Sequence, residues 1–451
     1  MNPGIFREYD IRGVVGKDLD RGDAEKIGRA YAAFLQQSGE RKVVVVGRDC
    51  RLSSPELASA LMEGLQTSGV DVIDIGLCPT PILYFAQRHL EAGGGLMVTA
   101  SHNPPEYNGF KVCLGQDTIF GEGLQELRRI SESGDFPSGK GSLEEKDILP
   151  AYVDYLAGNI SLERPVRLAM DAGNGTGGLA AAPVLERLGC SPVNLFVEPD
   201  GRFPNHEPDP TVIKNMKDIS ETVVRDGLEL GIAFDGDADR LGVVDEKGDI
   251  IYGDMLMVIF ARDILKTNPG AKIIGEVKCS QLMYEEIEAR GGQPIMWKTG
   301  HSLIKQKLKE EDALLAGEMS GHFFFKHRYF GFDDAIYAAC RLLEIISRSR
   351  EPLSGYLSNI PRTFNTPEIR VECPEEQKFQ LVDEVKKVLG DRYQVIDIDG
   401  VRVVFPDGWG LVRASNTSPV LVLRFEAQTE ERLKEIQELV EGAVNEARER
   451  L

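Results

Sequence analysis

Lys42-Val43-Val44-Val45-Val46-Gly47-Arg48-Asp49 is the stretch that decides the fold. Four consecutive valines between charged residues read as a strand buried on both faces, as in a parallel sheet. A polar loop, a helix near 55–67, Gly69 and a second apolar strand at 70–75 follow. The same plan recurs twice: 166–171 leads through a Gly-rich turn and a helix to Gly189, and 272–277 leads through a helix to Gly291 and a strand at 294–297. Glycine just past a helix suits the left-handed C′ position, and alternating strand and helix implies parallel sheets with crossover helices. The chain thus predicts three α/β domains of similar strand-helix plan.

From about residue 366 the pattern changes to strand, helix, several strands and a terminal helix, in which Leu433, Ile436, Leu439, Val440, Ala443, Val444 and Ala447 share one face. This predicts a C-terminal α+β domain. The expected division is 1–142, 143–247, 248–361 and 362–451, with joints at polar 131–142, at the turn 246–249 and at 359–362.

Composition narrows the function. The 451 residues are 42% hydrophobic and 27% charged, a globular balance too long for one core. No apolar run is long enough to span a bilayer, and Met1-Asn2-Pro3-Gly4-Ile5-Phe6-Arg7 lacks a signal-peptide core, so a soluble, cytoplasmic protein without membrane partners is expected. Seven cysteines, at 50, 78, 113, 190, 279, 340 and 373, form no Cys-x-x-Cys pair, which argues against a disulfide framework or structural zinc. A net charge of −20 argues against nucleic acid. An anionic substrate would require basic side chains gathered locally.

Thr99-Ala100-Ser101-His102-Asn103-Pro104-Pro105 follows a buried-strand pattern at 95–99, placing Ser101 at a strand's carboxyl end, where open α/β sheets keep their ligand crevices. Lys111 stands ten residues on. Taken alone, Ser101 could equally cap a turn. Asp235-Gly236-Asp237-Ala238-Asp239-Arg240 lies between two apolar strands; in an extended chain, residues two apart point the same way, so three carboxylates would converge and demand a cation, with all-oxygen ligation favouring Mg²⁺. An EF-hand fails there, because position six is Arg240 and the flanks are strands; an aspartyl phosphatase loop is the better rival. Gly317-Glu318-Met319-Ser320-Gly321-His322 offers carboxylate, hydroxyl and imidazole, suited to sugar hydroxyls and proton exchange. Arg413-Ala414-Ser415-Asn416-Thr417-Ser418 could cradle a phosphate, or simply form a hairpin. Basic residues near these loops include Arg7, Arg12, Arg48, Arg51, Arg240, Lys278 and Lys298. Gly-rich 172–178 lacks the Walker and dinucleotide spacings and reads as a tight strand-to-helix turn.

Serine, metal, sugar and phosphate loops in this order resemble the α-D-phosphohexomutase family over essentially the whole chain. Glu318-Met319-Ser320-Gly321-His322 and Lys298-Thr299-Gly300-His301 are most similar to its phosphomannomutase/phosphoglucomutase branch. Phosphoglucosamine mutases, the alternative, usually carry Gln where Met319 stands, and the family loop often has Gly where Cys50 stands. The resemblance implies four domains around a central cleft, with Ser101 carried as phosphoserine and exchanging phosphate with a hexose phosphate through a bound 1,6-bisphosphate. It implies Mg²⁺ on Asp235, Asp237, Asp239 and Ser101, with glucose 1,6-bisphosphate or mannose 1,6-bisphosphate as activator. Lys111 and His322, aided by Arg12, become the acid/base groups, and Arg240 the phosphoryl stabiliser. Arg7, Tyr9, Lys278, His301, Glu318 and Ser320 bind the substrate, while Arg413, Ser415, Asn416 and Thr417 hold the phosphate that is not reacting. A metal-dependent phosphatase and a sugar-phosphate sensor remain competing functions; neither uses all of these groups.

Overall fold

A computed structural model describes residues 1–416 and 418–451. The chain gathers into two compact units, residues 1–253 with 320–356, and residues 254–319 with 357–451.

The first unit holds two sheets. One runs in the order Ile11–Val14, Tyr107–Leu114, Gly94–Val98, Val43–Arg48, Asp71–Leu77 and Leu143–Glu145, with Asp117–Thr118 beside Tyr107–Leu114. The valine strand has parallel neighbours on both sides, and Val44, Val45 and Val46 are fully buried. Beyond Gly94–Val98 the pairing turns antiparallel, which sets Lys111 opposite Met97 and Arg12 opposite Gly109. The second sheet runs Ile250–Ile251, Leu241–Asp245, Leu230–Phe234, Leu168–Asp171 and Val193–Leu195. The turn at 246–249 closes a hairpin at the end of this sheet: Asp245 Oδ1 accepts from Lys247 N and Asp249 N, the side-chain chemistry of a tight turn.

Residues 320–356 join the first unit through aromatic packing. Tyr329 stacks on Tyr337 at 3.9 Å, Phe330 lies 5.1 Å from Tyr155, and Phe332 lies 5.4 Å from Tyr84. The helix Ala335–Ser347 is buried along its whole length and is capped by Asp334, which accepts from Tyr337 N and from the hydroxyls of Tyr152 and Tyr329. The stretch expected as a third domain, 248–361, is therefore shared between the two units.

In the second unit, Lys272–Glu276 pairs in parallel with Gln293–Trp297 and Leu315–Gly317. An antiparallel sheet follows, of six strands among the described residues. The helices Lys378–Gly390 and Glu430–Arg450 contribute to its core, the latter through Ile436, Val440, Ala443, Val444 and Ala447, with Leu433 and Leu439 at the edge, the face expected from the sequence. Gly69, Gly189 and Gly291 all adopt the left-handed conformation expected past their helices, with φ of +80, +79 and +77°. Among the described residues no helix is long and apolar enough to cross a membrane.

Candidate active site

The serine loop begins where the wholly buried strand Gly94–Val98 ends. Thr99 Oγ1 accepts from Ser101 N at 2.9 Å, and Ser101 itself takes a left-handed conformation at φ +50°, which is disfavoured for a residue with a Cβ. The side chain is 4% exposed, and its hydroxyl donates to Asp235 Oδ2 at 2.6 Å. His102 Nδ1 lies 3.0 Å from Ser101 Oγ. Burial, together with Arg240 and Arg12, holds the His102 pKa well below the ordinary histidine range, so this ring is neutral.

The three aspartates converge, though by a different geometry from the one expected. Residues 235–239 form a tight turn with Ala238 at φ +57°, not an extended run. Asp235 Oδ1 accepts from Asp239 N at 3.0 Å and Arg240 N at 3.1 Å, so the first carboxylate staples the loop that carries the other two. Two glycines permit the packing behind it. A Cβ on Gly236 would fall 2.4 Å from Ser101 O, and one on Gly175 would fall 2.6 Å from Gly236 O. Thr176 N donates to that Gly236 carbonyl at 3.0 Å, so Gly-rich 172–178 makes the expected strand-to-helix turn and also supports the aspartate loop.

Oxygens of Asp235, Asp237 and Asp239 lie within 4.8 Å of one another, and all three residues are buried. Asp237 Oδ2 accepts from Lys111 Nζ at 2.7 Å and from Thr80 Oγ1 at 2.5 Å, while Lys111 also pairs with Asp239. Burial alone would lower the lysine's pKa; Asp237 and Asp239 more than reverse this and hold it as a cation. Burial and the two neighbouring aspartates push Asp235 well up, whereas Lys111 and His322 overcome burial to hold Asp239 well down. Asp237 Oδ1 is buried and accepts no hydrogen bond among the described residues. A cluster of hard oxygens with one carboxylate destabilised as an anion and one oxygen unsatisfied fits a divalent cation such as Mg²⁺.

Residues 320–322 complete this side. Leu241 N donates to Gly321 O at 2.9 Å, bringing His322 Nε2 to 3.3 Å from Asp239 Oδ1 and 3.4 Å from Arg240 Nε, while Ser320 Oγ meets His322 Nδ1 at 2.9 Å. Arg12 is held by Asp10 and Asn103. Arg7 and Tyr9 stand half-buried on the turn that precedes it, where Arg7 N donates to Asp10 O.

The remaining predicted residues lie in the second unit. Lys278 pairs with Glu368 at 2.7 Å, which draws the Glu368 pKa down to about 2. Glu318 Oε1 accepts from Gly300 N at 2.7 Å, just ahead of His301, the first residue of the helix His301–Glu310. Glu276, which sequence reasoning missed, braces both loops: it accepts from Met319 N at 3.0 Å and from Thr299 Oγ1. Its place at a strand's carboxyl end was the available signal. Arg413 pairs with Asp399 at 3.0 Å, and Asp399 also accepts from Thr299 N at 3.0 Å. Lys378, buried and also unforeseen, donates to Ser415 O at 2.6 Å beneath the Ser415–Asn416 turn. Thr417 lies outside the described residues.

A buried serine aimed at a carboxylate cluster able to hold a cation, with an arginine and an imidazole beside it, is equipment for phosphoryl transfer. The comparisons agree. The models described as phosphoglucomutase/phosphomannomutase alpha/beta/alpha domains I, II and III match residues 3–137, 150–248 and 252–364, and the C-terminal domain model matches 368–443. The chain belongs to the phosphoglucomutase/phosphomannomutase family. The phosphomannomutase/phosphoglucomutase of Pseudomonas aeruginosa is 50% identical over 433 residues, covering 96% of this chain and 93% of that protein. A phosphoglucomutase of Neisseria gonorrhoeae is 50% identical over 438 residues, covering 96% and 95%. The crystal structure of a phosphoglucomutase/phosphomannomutase family protein from Burkholderia thailandensis has a TM-score of 0.94 at 45% identity, covering 99% of this chain and 98% of that one.

Proposed function

We propose that this chain is a phosphohexomutase that interconverts the 1- and 6-phosphates of mannose and glucose, with Ser101 as the phosphoryl carrier. The Ser101 hydroxyl, 2.6 Å from Asp235 within the carboxylate cluster, carries the reading. Family membership and the names of the relatives support it.

In the first half-reaction the phosphoryl group leaves Ser101 Oγ for a free hydroxyl of the hexose phosphate. The Oγ–P bond breaks, a P–O bond to the sugar forms, and the sugar hydroxyl gives up its proton. The bound 1,6-bisphosphate then presents its other phosphate to Ser101, the Oγ–P bond re-forms, and the isomerised product leaves. His322 takes and returns the proton, with Ser320 orienting the ring through Nδ1. Lys111, fixed as a cation by two aspartates, serves as donor to the departing oxygen, aided by Arg12; Arg240 stabilises the phosphoryl oxygens. Asp235, Asp237, Asp239 and Ser101 would hold Mg²⁺, which when bound neutralises charge on the group in flight. Glu318 and Ser320 grip ring hydroxyls; Arg7, Tyr9, Lys278 and His301 complete the sugar contacts; and Arg413, Ser415 and Asn416, with Thr417, clamp the idle phosphate.

Glucose 1,6-bisphosphate or mannose 1,6-bisphosphate is the activator that loads the serine. Serine, metal, sugar and phosphate loops are contributed in turn by the four expected domains. Seven free cysteines fit a reducing compartment, the cytoplasm.

Incubation with glucose 1,6-bisphosphate should add one phosphoryl group by intact mass, absent in Ser101→Ala. Coupled assays should then show turnover of mannose and glucose 1-phosphates; phosphate mapped to Asp235 or Asp237 would favour a phosphatase, and a preference for glucosamine 1-phosphate would favour the phosphoglucosamine mutase.

A further inference from the structure

We propose that Arg51 is a positioning residue for the phosphoryl transfer, a role that rests on Ser101 being the phosphoryl carrier. A guanidinium has five N–H donors in a fixed plane, and those of Arg51 are all engaged within the first unit. Nε donates to Asp49 Oδ2 at 3.1 Å. One terminal nitrogen donates to the carbonyls of Pro104 at 2.6 Å and Tyr107 at 3.1 Å, the other to those of Ser101 at 2.8 Å and Asn103 at 2.5 Å. Asp49 is itself fixed, because its Oδ1 accepts from Arg51 N at 3.0 Å and from Ser54 Oγ, and Ser54 Oγ accepts from Asn108 Nδ2 at 2.9 Å. The Phe203 ring lies 5.1 Å from the guanidinium carbon, and Arg51 is 1% exposed.

With every donor committed, Arg51 has none for a substrate. Its donors gather the carbonyls of the loop that holds Ser101 at φ +50°. Those carbonyl dipoles repel one another, and a strained residue persists only where its surroundings over-determine it. The Ser101 carbonyl is fixed by the guanidinium and bounded by Gly236, and this fixes the direction of Oγ toward Asp235. Lysine, with one nitrogen and three donors, cannot reach four carbonyls and a carboxylate together.

Arg51→Lys should therefore slow transfer from glucose 1,6-bisphosphate to Ser101 about 10²-fold in single-turnover mass measurements, the usual effect of misplacing a reacting group by about 1 Å. The end point should stay at one phosphoryl group per chain, and KM for mannose 1-phosphate should move by less than about threefold. Ser54→Ala leaves the guanidinium in place and removes one hydrogen bond from Asp49, so it should slow the same step about fivefold, and it serves as the test if Arg51→Lys does not fold. Transfer at the parent rate in the variant that folds would overturn the proposal. So would a reduced end point reached at the parent rate, since that marks a loss of folded protein only. A parent chain that takes up no phosphate on Ser101 would overturn the reading of the serine, and this proposal with it.

Discussion

Gly236→Ala adds one methyl group where the serine and aspartate loops touch main chain to main chain. The new Cβ would lie 2.4 Å from Ser101 O and 3.2 Å from Ser101 C, where ordinary contact begins at 3.4 Å. The loops must part by about 1 Å, because the atom met is backbone and cannot rotate aside. Retreat on the other side is blocked, since Thr176 N holds the Gly236 carbonyl at 3.0 Å. A Ser101–Asp235 hydrogen bond of 2.6 Å does not survive an extra 1 Å. The expected cost is about 10²-fold in kcat, or roughly 2.7 kcal/mol of barrier, with about 1–3 kcal/mol of stability lost to overpacking. Gly158→Ala is the matched control: it makes the same change in the helix Leu149–Asn159, where the added Cβ meets nothing within 4 Å. It should leave turnover alone and stabilise by up to about 1 kcal/mol. Steady-state kinetics with mannose 1-phosphate and calorimetric melting would read both. A Gly236→Ala enzyme keeping kcat within about threefold of the parent would refute the argument that the loops' separation sets the rate.

Asp237→Asn should cut turnover at least about 10²-fold and weaken Mg²⁺ binding by titration calorimetry, and excess chelator should reproduce the loss; full turnover in chelator would remove the metal from the mechanism. Burial pushes Asp334 from 3.8 up to about 6. The folded state thus holds this proton more tightly than the unfolded chain, and the stability it contributes, about 3 kcal/mol, is present below about pH 4 and lost as pH rises through about 6. Asp334→Asn keeps the helix cap and should flatten that decline in urea midpoints; an unchanged slope would contradict the assignment. Glu318→Ala should weaken mannose and glucose 1-phosphates together, because it removes the sugar-hydroxyl contact proposed for it and releases the Gly300 amide; glucosamine 1-phosphate should be the poorer substrate throughout, and kcat/KM for the three sugars tests both statements.

Much of this was readable in advance wherever one local rule decided the outcome. Valine runs, C′ glycines and the terminal helix's apolar face follow from periodicity and turn chemistry, and they appear as expected. Convergence of the three aspartates was legible although its cause was not: the spacing suggested an extended strand, while the carboxylate of Asp235 folds its own loop into a turn. What stayed hidden depends on long-range contact. Arg51 looks like any charge near a loop until four carbonyls from residues 101–107 surround it, and Thr80 carries no local hint that Asp237 lies beside it.

Residues 320–356 belong to the first unit although 254–319 intervene in the chain. In the order of synthesis, Ser101 and the three aspartates emerge early, while His322, the Asp334 carboxylate that meets Tyr152 and the rings that pack on Tyr84 and Tyr155 arrive only after a large part of the other unit has been made. Until then the nascent chain lacks the contacts that residues 320–356 supply to these rings. Contacts so distant in sequence slow folding and leave apolar surface open to aggregation in the interval. The packing of the unit bearing the serine is therefore complete only once residues 320–356 have left the ribosome.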